Sequence, residues 1–156
     1  DLPDTTWAEL DVVIASVHSF FDLPREAQTE RIVRAMRNPY VSIIGHPTGR
    51  LIGTREPYDV DMDRITSAAR EYDCSLEINA EPDRLDLNDL HAHMARAKGV
   101  KIAISTDAHS VNAFQYIRYG VDQARRGWLT AADVINTRPL AELRKLLKHS
   151  RSAAAA

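Results

Sequence analysis

Four short apolar segments recur along the chain, and each is followed by polar residues and then by a stretch with helical spacing. The segments are rich in β-branched residues and comprise Val12–Val17, Val41–Gly45, Ser75–Asn79 and Lys101–Ser105. Apolar runs of this length, without strict alternation of apolar and polar residues, predict buried strands of a parallel sheet. Their spacing of roughly 30 residues is typical of successive strand–helix units, so the chain is predicted to have an α/β fold.

The stretches between these strands place apolar residues on one helical face. They predict helices over Arg25–Arg37, Asp61–Tyr72 and Asn88–Lys98. After the fourth strand the chain is predicted to be helical to its end, over Val111–Arg126, Thr130–Asn136 and Pro139–His149. The second of these stretches begins with the capping sequence Thr130-x-x-Asp133. A length of 156 residues favours one domain, which we predict over residues 1–150, with a disordered tail at 151–156.

Charge and cysteine content narrow the functional class. A net charge of −2 and a pI near 6.3 argue against a domain that coats nucleic acid, although they allow an enzyme that acts on a nucleic-acid end. The single cysteine, Cys74, cannot form an internal disulfide, which favours a cytoplasmic location. No apolar stretch approaches the roughly 20 residues needed to cross a bilayer, so no membrane partner is expected.

Polar side chains follow every predicted strand, at the point where the strand ends. They are His18, His46, the pair Glu77 and Asn79, and the pair Asp107 and His109. Active sites of parallel α/β folds form at the carboxyl ends of the strands, and imidazole with carboxylate suits Zn, Mn or Fe. Alternate residues leaving a strand point to the same side, so Asp107 and His109 are predicted to face one metal cluster. A single histidine at a strand end is usually an ordinary loop residue; the prediction of metal ligands rests on the joint pattern.

Two arginines follow the second and third strands and are candidates for binding a phosphate. Arg50 lies in the loop after His46, and Arg84 lies in the loop after Asn79. A guanidinium group binds phosphate with two parallel hydrogen bonds. The alternative is a surface arginine paired with a nearby acid, and Asp83 or Asp86 is such a partner for Arg84. The sequence leaves both alternatives open.

A set of longer motifs spans nearly the whole chain up to about Leu147. The motifs are Ile14–Ser19, Asn38–Val41, Ile44–Leu51, Leu76–Ala80, Pro82–Asn88, Ser105–Ser110, Arg118–Gly120 and Ala124–Trp128. Together they resemble the second half of a PHP domain (polymerase and histidinol phosphatase family), most of all the C-terminal PHP domain of bacterial family X DNA polymerases.

The resemblance implies the C-terminal portion of a distorted, TIM-like (β/α)7 barrel that holds a trinuclear Mn or Zn site. It implies a metal-dependent phosphoesterase with 3′–5′ exonuclease and 3′-phosphatase activity in DNA repair. A DNA 3′ end is the implied substrate, and an upstream polymerase domain the implied partner. Carried over by motif, the metal ligands are His18, His46, Asp107 and His109. The implied catalytic residues are His18, Asp107 and His109, and the implied substrate-binding residues are Arg50, Arg84, Asn79 and Glu77.

The chain departs from the family pattern at its start. The family begins with a His-x-His strand, followed by a further His and by a Glu in Glu-Val-Asp-Ile-like surroundings, and none of these motifs stands before the first predicted strand. Four strands are also too few to close a barrel. One alternative is therefore a catalytically incomplete fragment that acts as a structural or interaction module, with open sheet edges that favour dimerisation. Another is a phosphatase for a small ester such as histidinol phosphate. The native metal, the true substrate and the oligomeric state are left open by the sequence.

Overall fold

The computed structural model describes residues 3–148, which form an α/β fold around a four-stranded parallel sheet. The strands are β1 (Val13–Ala15), β2 (Val41–Ile44), β3 (Ser75–Asn79) and β4 (Ile102–Ser105), and they lie side by side in chain order. Each neighbouring pair is parallel. The predicted α/β class and the four predicted strands are confirmed. The tail predicted at 151–156 and the residue His149 lie outside the described residues.

Helices connect the strands and follow the last one. They are α1 (Asp4–Trp7), α2 (Arg25–Arg37), α3 (Met62–Glu71), α4 (Asp89–Ala97), α5 (Ile117–Arg126) and α6 (Leu140–Arg144). Helix α3 begins where the Asp61 side chain accepts a hydrogen bond from the N–H of Arg64, and α4 begins where Asn88 accepts one from His91. Such caps satisfy N–H groups that the first turn of a helix leaves unpaired. The predictions for α2, α3 and α4 are confirmed to within one residue at each end.

The helix predicted over Thr130–Asn136 is wrong. Its capping contact forms, since the Thr130 N–H donates to the Asp133 carboxylate at 2.8 Å. The backbone then turns and pairs with the edge of β4: the carbonyl of Asp133 accepts from the N–H of Ile102 at 2.9 Å. The side-chain amide of Asn136 completes the edge by bonding the N–H and the carbonyl of Ile104. Residues Ile135–Thr137 form only a 3-10 turn.

Two further helices differ from their predicted form. The first part of the predicted helix Val111–Arg126 is a 3-10 segment, Val111–Tyr116, and the α-helix begins only at Ile117. The predicted helix Pro139–His149 is shorter, since α6 ends at Arg144. Among residues 3–148, no helix is both long and apolar enough to span a membrane.

The two faces of the sheet are covered differently. Since side chains alternate along a strand, Leu76 and Ile78 of β3 point to one face, where the main apolar core packs them against the helices. On the other face, Ile43 and Ala103 form a smaller cluster with Ile135, Leu147 and neighbouring leucines of the C-terminal segment. The prediction that every strand is buried fails for β1, the edge strand, because Ile14 on this second face is 49% exposed. The polar ends of the strands lie on this less covered face.

Candidate active site

A cavity of about 400 Å³ lies at the carboxyl ends of the strands, on the second face of the sheet. Its lining includes His18, His46, Glu77 and Asp107, one from the end of each strand. The predicted convergence of these polar residues at one edge of the sheet is therefore present. The exposed ring of Phe114, on the 3-10 segment after β4, also lines the cavity.

The two histidines of the cavity lie next to each other but differ in environment. Their ring centroids are 5.2 Å apart. His18 is exposed, and its Nε2 lies 3.2 Å from the Ser16 hydroxyl. His46 is buried, and its Nδ1 has no hydrogen-bond partner among the described residues. Burial, together with the positive charge of Arg84, lowers the pKa of His46 to about 4. His46 is therefore neutral at pH 7, which is the form that binds a metal ion.

Glu77 fixes the backbone of His46. It is buried, and its Oε2 accepts a hydrogen bond from the N–H of His46 at 2.6 Å. Its Oε1 accepts from the hydroxyl of Ser105 on β4. Burial raises the pKa of the Glu77 carboxyl, and these hydrogen bonds oppose that rise. Both oxygens already have protein partners, so Glu77 ties the ends of the three strands β2, β3 and β4 together; its predicted contact with substrate stays a prediction.

Asp107 is held by side chains from the loop after β3 and from β3 itself. The side-chain amide of Asn79, a fully buried residue, donates to Asp107 Oδ2 at 3.2 Å. The Nε of Arg84 lies 3.6 Å from the same oxygen. These contacts orient a carboxylate that remains partly exposed to the cavity.

His109 does not line the cavity. It is exposed, and its Nδ1 lies 2.7 Å from the carbonyl oxygen of Asp107. The alternation expected for Asp107 and His109 fails because β4 ends at Ser105 and Asp107 has a positive φ of 51°, so this stretch is not extended. The assignment of His109 as a metal ligand stays a prediction that this geometry does not support.

The arginines predicted to bind phosphate occupy different positions. The guanidinium of Arg50 donates to the carbonyl oxygens of Arg84 and Leu85, the first at 2.7 Å from Nε. Arg84 instead lies beside Asp107, and its Nη1 is buried without a partner among the described residues. The alternative in which Arg84 pairs with Asp83 or Asp86 is wrong, since its ion pair is with Asp107. Of the two arginines, Arg84 is the one that contacts a side chain lining the cavity.

The donor set fits a transition-metal ion in its chemistry, with imidazole and carboxylate groups at one cavity and an unpartnered buried nitrogen on His46. The arrangement is incomplete, however. Within residues 3–148, no three His, Cys, Asp or Glu side chains come close enough together to hold an ion. The predicted metal ligands His18, His46, Asp107 and His109 therefore stay a prediction.

Sequence reasoning missed the role of Asp86. Its side chain is fully buried, and Oδ2 accepts hydrogen bonds from the N–H groups of Thr48 and Gly49. Burial raises its pKa to about 6, against the opposing effect of these hydrogen bonds. An acidic residue between Leu85 and Leu87 was the available signal, because a lone carboxylate flanked by large apolar residues indicates a buried, hydrogen-bonded group.

The chain is similar in sequence to a DNA polymerase/exonuclease and to several probable phosphatases. No protein-family model matches the sequence. The chain is 42% identical over 150 residues to the DNA polymerase/3′-5′ exonuclease PolX of Bacillus subtilis, a match that covers 96% of this chain and 26% of that protein. It is 38% identical over 118 residues to a probable phosphatase of Thermoanaerobacter sp. strain X514, covering 70% of this chain and 46% of the phosphatase. A probable phosphatase of Clostridium acetobutylicum is 33% identical over 117 residues, with the same shares.

These similarities establish homology, and the match to PolX extends over nearly the whole chain. The chain spans about a quarter of the length of PolX and just under half the length of the phosphatases.

Proposed function

We propose that this chain is the C-terminal portion of a PHP-type, metal-dependent phosphoesterase domain with a distorted (β/α)7 barrel. The observation that carries the proposal is the cavity in which His18, His46, Glu77 and Asp107 meet at the carboxyl ends of four parallel strands. Similarity to an exonuclease and to several probable phosphatases supports phosphoester hydrolysis as the reaction class.

Each residue has a distinct role in this proposal. His18, His46 and Asp107 are the metal donors, and Glu77 holds the backbone of His46 in place. Asn79 and Arg84 orient the Asp107 carboxylate. Arg84 also presents positive charge beside Asp107, where it would bind a phosphate oxygen of the substrate. His109 completes the ligand set only if its loop rearranges.

Bound Mn or Zn ions would supply an activated water near neutral pH and would neutralise charge on the phosphate. Because no three such donors come together within residues 3–148, the proposal requires that donors beyond these residues complete the metal site. Two observations support this requirement. The chain spans only part of the length of its relatives. Its sheet has four strands among residues 3–148, which are too few to close a barrel.

The substrate that we propose is a DNA 3′ end, within a protein related to PolX and acting in repair. The reason is that the PolX similarity covers 96% of the chain, against 70% for the phosphatases. The test is release of nucleotides from a 3′-labelled DNA duplex with added Mn²⁺. It is made with this chain and with a longer polypeptide that contains it, which is called the longer protein below. His18→Ala and Asp107→Ala should abolish release, whereas His93→Ala, at an exposed site on α4, should not. Unchanged release in the first two variants would refute the assignment.

Two other functions remain to be separated from this one. A small-molecule phosphatase, acting on an ester such as histidinol phosphate, would hydrolyse p-nitrophenyl phosphate or histidinol phosphate faster than DNA. A structural or interaction module would bind no metal and hydrolyse neither substrate, and its open β1 edge would favour a dimer. Metal analysis after purification, combined with sedimentation, distinguishes the interaction module from the DNA exonuclease and from the small-molecule phosphatase.

A further inference from the structure

Two irregular loops, one after each of the two central strands, carry residues of the candidate site. One follows β2 and contains His46, and the other follows β3 and contains Arg84. Both contain residues at positive φ, among them His46 at 30°, Gly49 at 64° and Leu85 at 43°. Some of this backbone pairs within its own loop, as the N–H of Gly49 does with the carbonyl of His46 at 2.9 Å. Irregular backbone leaves other polar groups without such a partner, and these need partners elsewhere. The positions of His46 and Arg84 depend on what those partners are.

The second loop holds the first through a carboxylate. Asp86 Oδ2 accepts from the N–H of Thr48 at 2.9 Å and from the N–H of Gly49 at 2.8 Å. Asp86 is itself fixed to β3, because its backbone exchanges hydrogen bonds with Asn79 in both directions. The carboxylate is fully buried, and hydrogen bonds to a buried charge are stronger than ordinary ones.

The first loop holds the second through a guanidinium. Arg50 donates from Nε to the carbonyl of Arg84 and from Nη2 to the carbonyl of Leu85. A third contact joins the loops through the backbone, from the N–H of Ile52 to the carbonyl of Asp83 at 2.6 Å. Each loop therefore supplies one charged side chain that binds two adjacent backbone groups of the other.

We propose that Arg50 and Asp86 are positioning residues, which interlock the two loops and so fix the positions of His46 and Arg84. This refines the expectation that both arginines bind phosphate. Two nitrogens of Arg50 already bond carbonyl oxygens, so a substrate would have to displace them. Arg84 has a buried nitrogen without a partner among the described residues, and it contacts Asp107 directly. The assignment of a substrate-binding role to Arg84 rests on the proposed phosphoesterase function; the interlock does not.

Hydrogen exchange of the Thr48 and Gly49 amides tests the interlock without any need for activity. Arg50 does not contact these amides, yet Arg50→Gln should speed their exchange about tenfold or more, which corresponds to about 1.4 kcal/mol. Asp86→Ala should do the same, whereas Asp86→Asn, which keeps an acceptor oxygen, should restore much of the protection. Arg125→Gln, at an exposed arginine of α5, is the control and should leave the exchange unchanged. If Arg50→Gln leaves both amides as protected as in the wild type, the loops are not interlocked and the proposal fails.

Kinetics with p-nitrophenyl phosphate and Mn²⁺ on the longer protein separate positioning from direct binding. Arg84→Gln should raise KM and weaken competition by inorganic phosphate about tenfold or more. Arg50→Gln should lower kcat with a smaller change in KM, and Arg50→Lys should restore kcat only in part, because one ammonium group cannot reproduce the two-pronged contact. If Arg50→Lys restores phosphate competition without restoring amide protection, Arg50 binds phosphate directly and the positioning role is wrong. If no form hydrolyses any ester but the exchange results hold, only the proposed function is lost.

Discussion

Most residues of the candidate site at the ends of the central strands are buried, whereas those that follow the edge strands are at least partly exposed. The inner half comprises His46, Glu77, Asn79 and Asp86, all buried. The outer half comprises His18, Asp107 and His109, all at least partly exposed. The end of a central strand has neighbours on both sides, so its polar groups find partners within the chain, while the end of an edge strand has a neighbour on one side only. The difference shows that contacts within this chain hold the inner half in place, while the outer half is more open to solvent.

The largest expected loss of stability comes from a substitution in the loop that follows β2, which belongs to the inner half of the site. Gly49 has φ of +64°, and a Cβ there would lie 2.1 Å from a ring carbon of Tyr58. Gly49→Ala should lower the free energy of unfolding by about 3 kcal/mol, from positive φ and overpacking together. Gly53→Ala is the matched control, since Gly53 has φ of +75° but no atom within 4 Å of the added carbon. It should cost about 1 kcal/mol. If urea unfolding shows that the two variants lose equal free energy of unfolding, the loop around Gly49 is not tightly packed against Tyr58.

The pH dependence of stability tests the buried carboxylate of the inner half. Burial raises the folded-state pKa of Asp86 to about 6 from an ordinary value of 3.8, so the folded protein binds this proton more tightly than the unfolded chain. Its contribution to stability is therefore greatest near pH 4 and is lost as pH rises to about 6, by up to about 3 kcal/mol. His46 acts in the opposite direction over this range, because its folded pKa is lowered to about 4.

The titration of His46 is common to the wild type and to Asp86→Asn. The difference in unfolding free energy between them therefore reports the contribution of the Asp86 carboxylate. It should fall from pH 4 to pH 7 when measured by urea unfolding. A difference that is flat or that rises over this range would show that Asp86 is not a buried, destabilised charge.

Removing the acceptor that supports His46 should have a smaller effect. Glu77→Leu leaves the N–H of His46 and the hydroxyl of Ser105 without their partner and should lower the free energy of unfolding by about 2 kcal/mol. Glu77→Gln keeps an oxygen that accepts from His46 and should cost much less. Thermal unfolding of the two variants makes the comparison, and a similar loss for both would mean that the charge of Glu77, rather than its acceptor geometry, is what stabilises the site.

The smallest expected effect on stability comes from the outer half. His18→Ala and His109→Ala should each change the free energy of unfolding by less than about 0.5 kcal/mol, because both side chains are exposed. His18→Ala should nevertheless weaken Mn²⁺ binding by the longer protein in a metal titration, with His93→Ala as the exposed control. A large loss of stability in His18→Ala or His109→Ala would show that the outer half is not more weakly held than the inner half.

Local sequence was sufficient for much of the fold. The apolar runs predicted all four strands, and caps at Asp61 and Asn88 accompany helices that begin within a residue of their predicted starts. The convergence of His18, His46, Glu77 and Asp107 also followed from the sequence, because parallel strands present their carboxyl ends at one edge.

By itself, then, the sequence determined which segments form the sheet and which polar residues reach its carboxyl edge, because both depend on short-range periodicity and on strand direction. Only the tertiary structure decided which partner each polar group takes. Arg50 bonds the loop of Arg84 rather than facing the cavity, and Asp86 bonds amides 37 and 38 residues away. Residues 133–136 pair with β4 instead of forming a helix. The physical reason is that a buried polar group bonds whichever donor or acceptor is buried beside it, and packing between distant segments sets that neighbour.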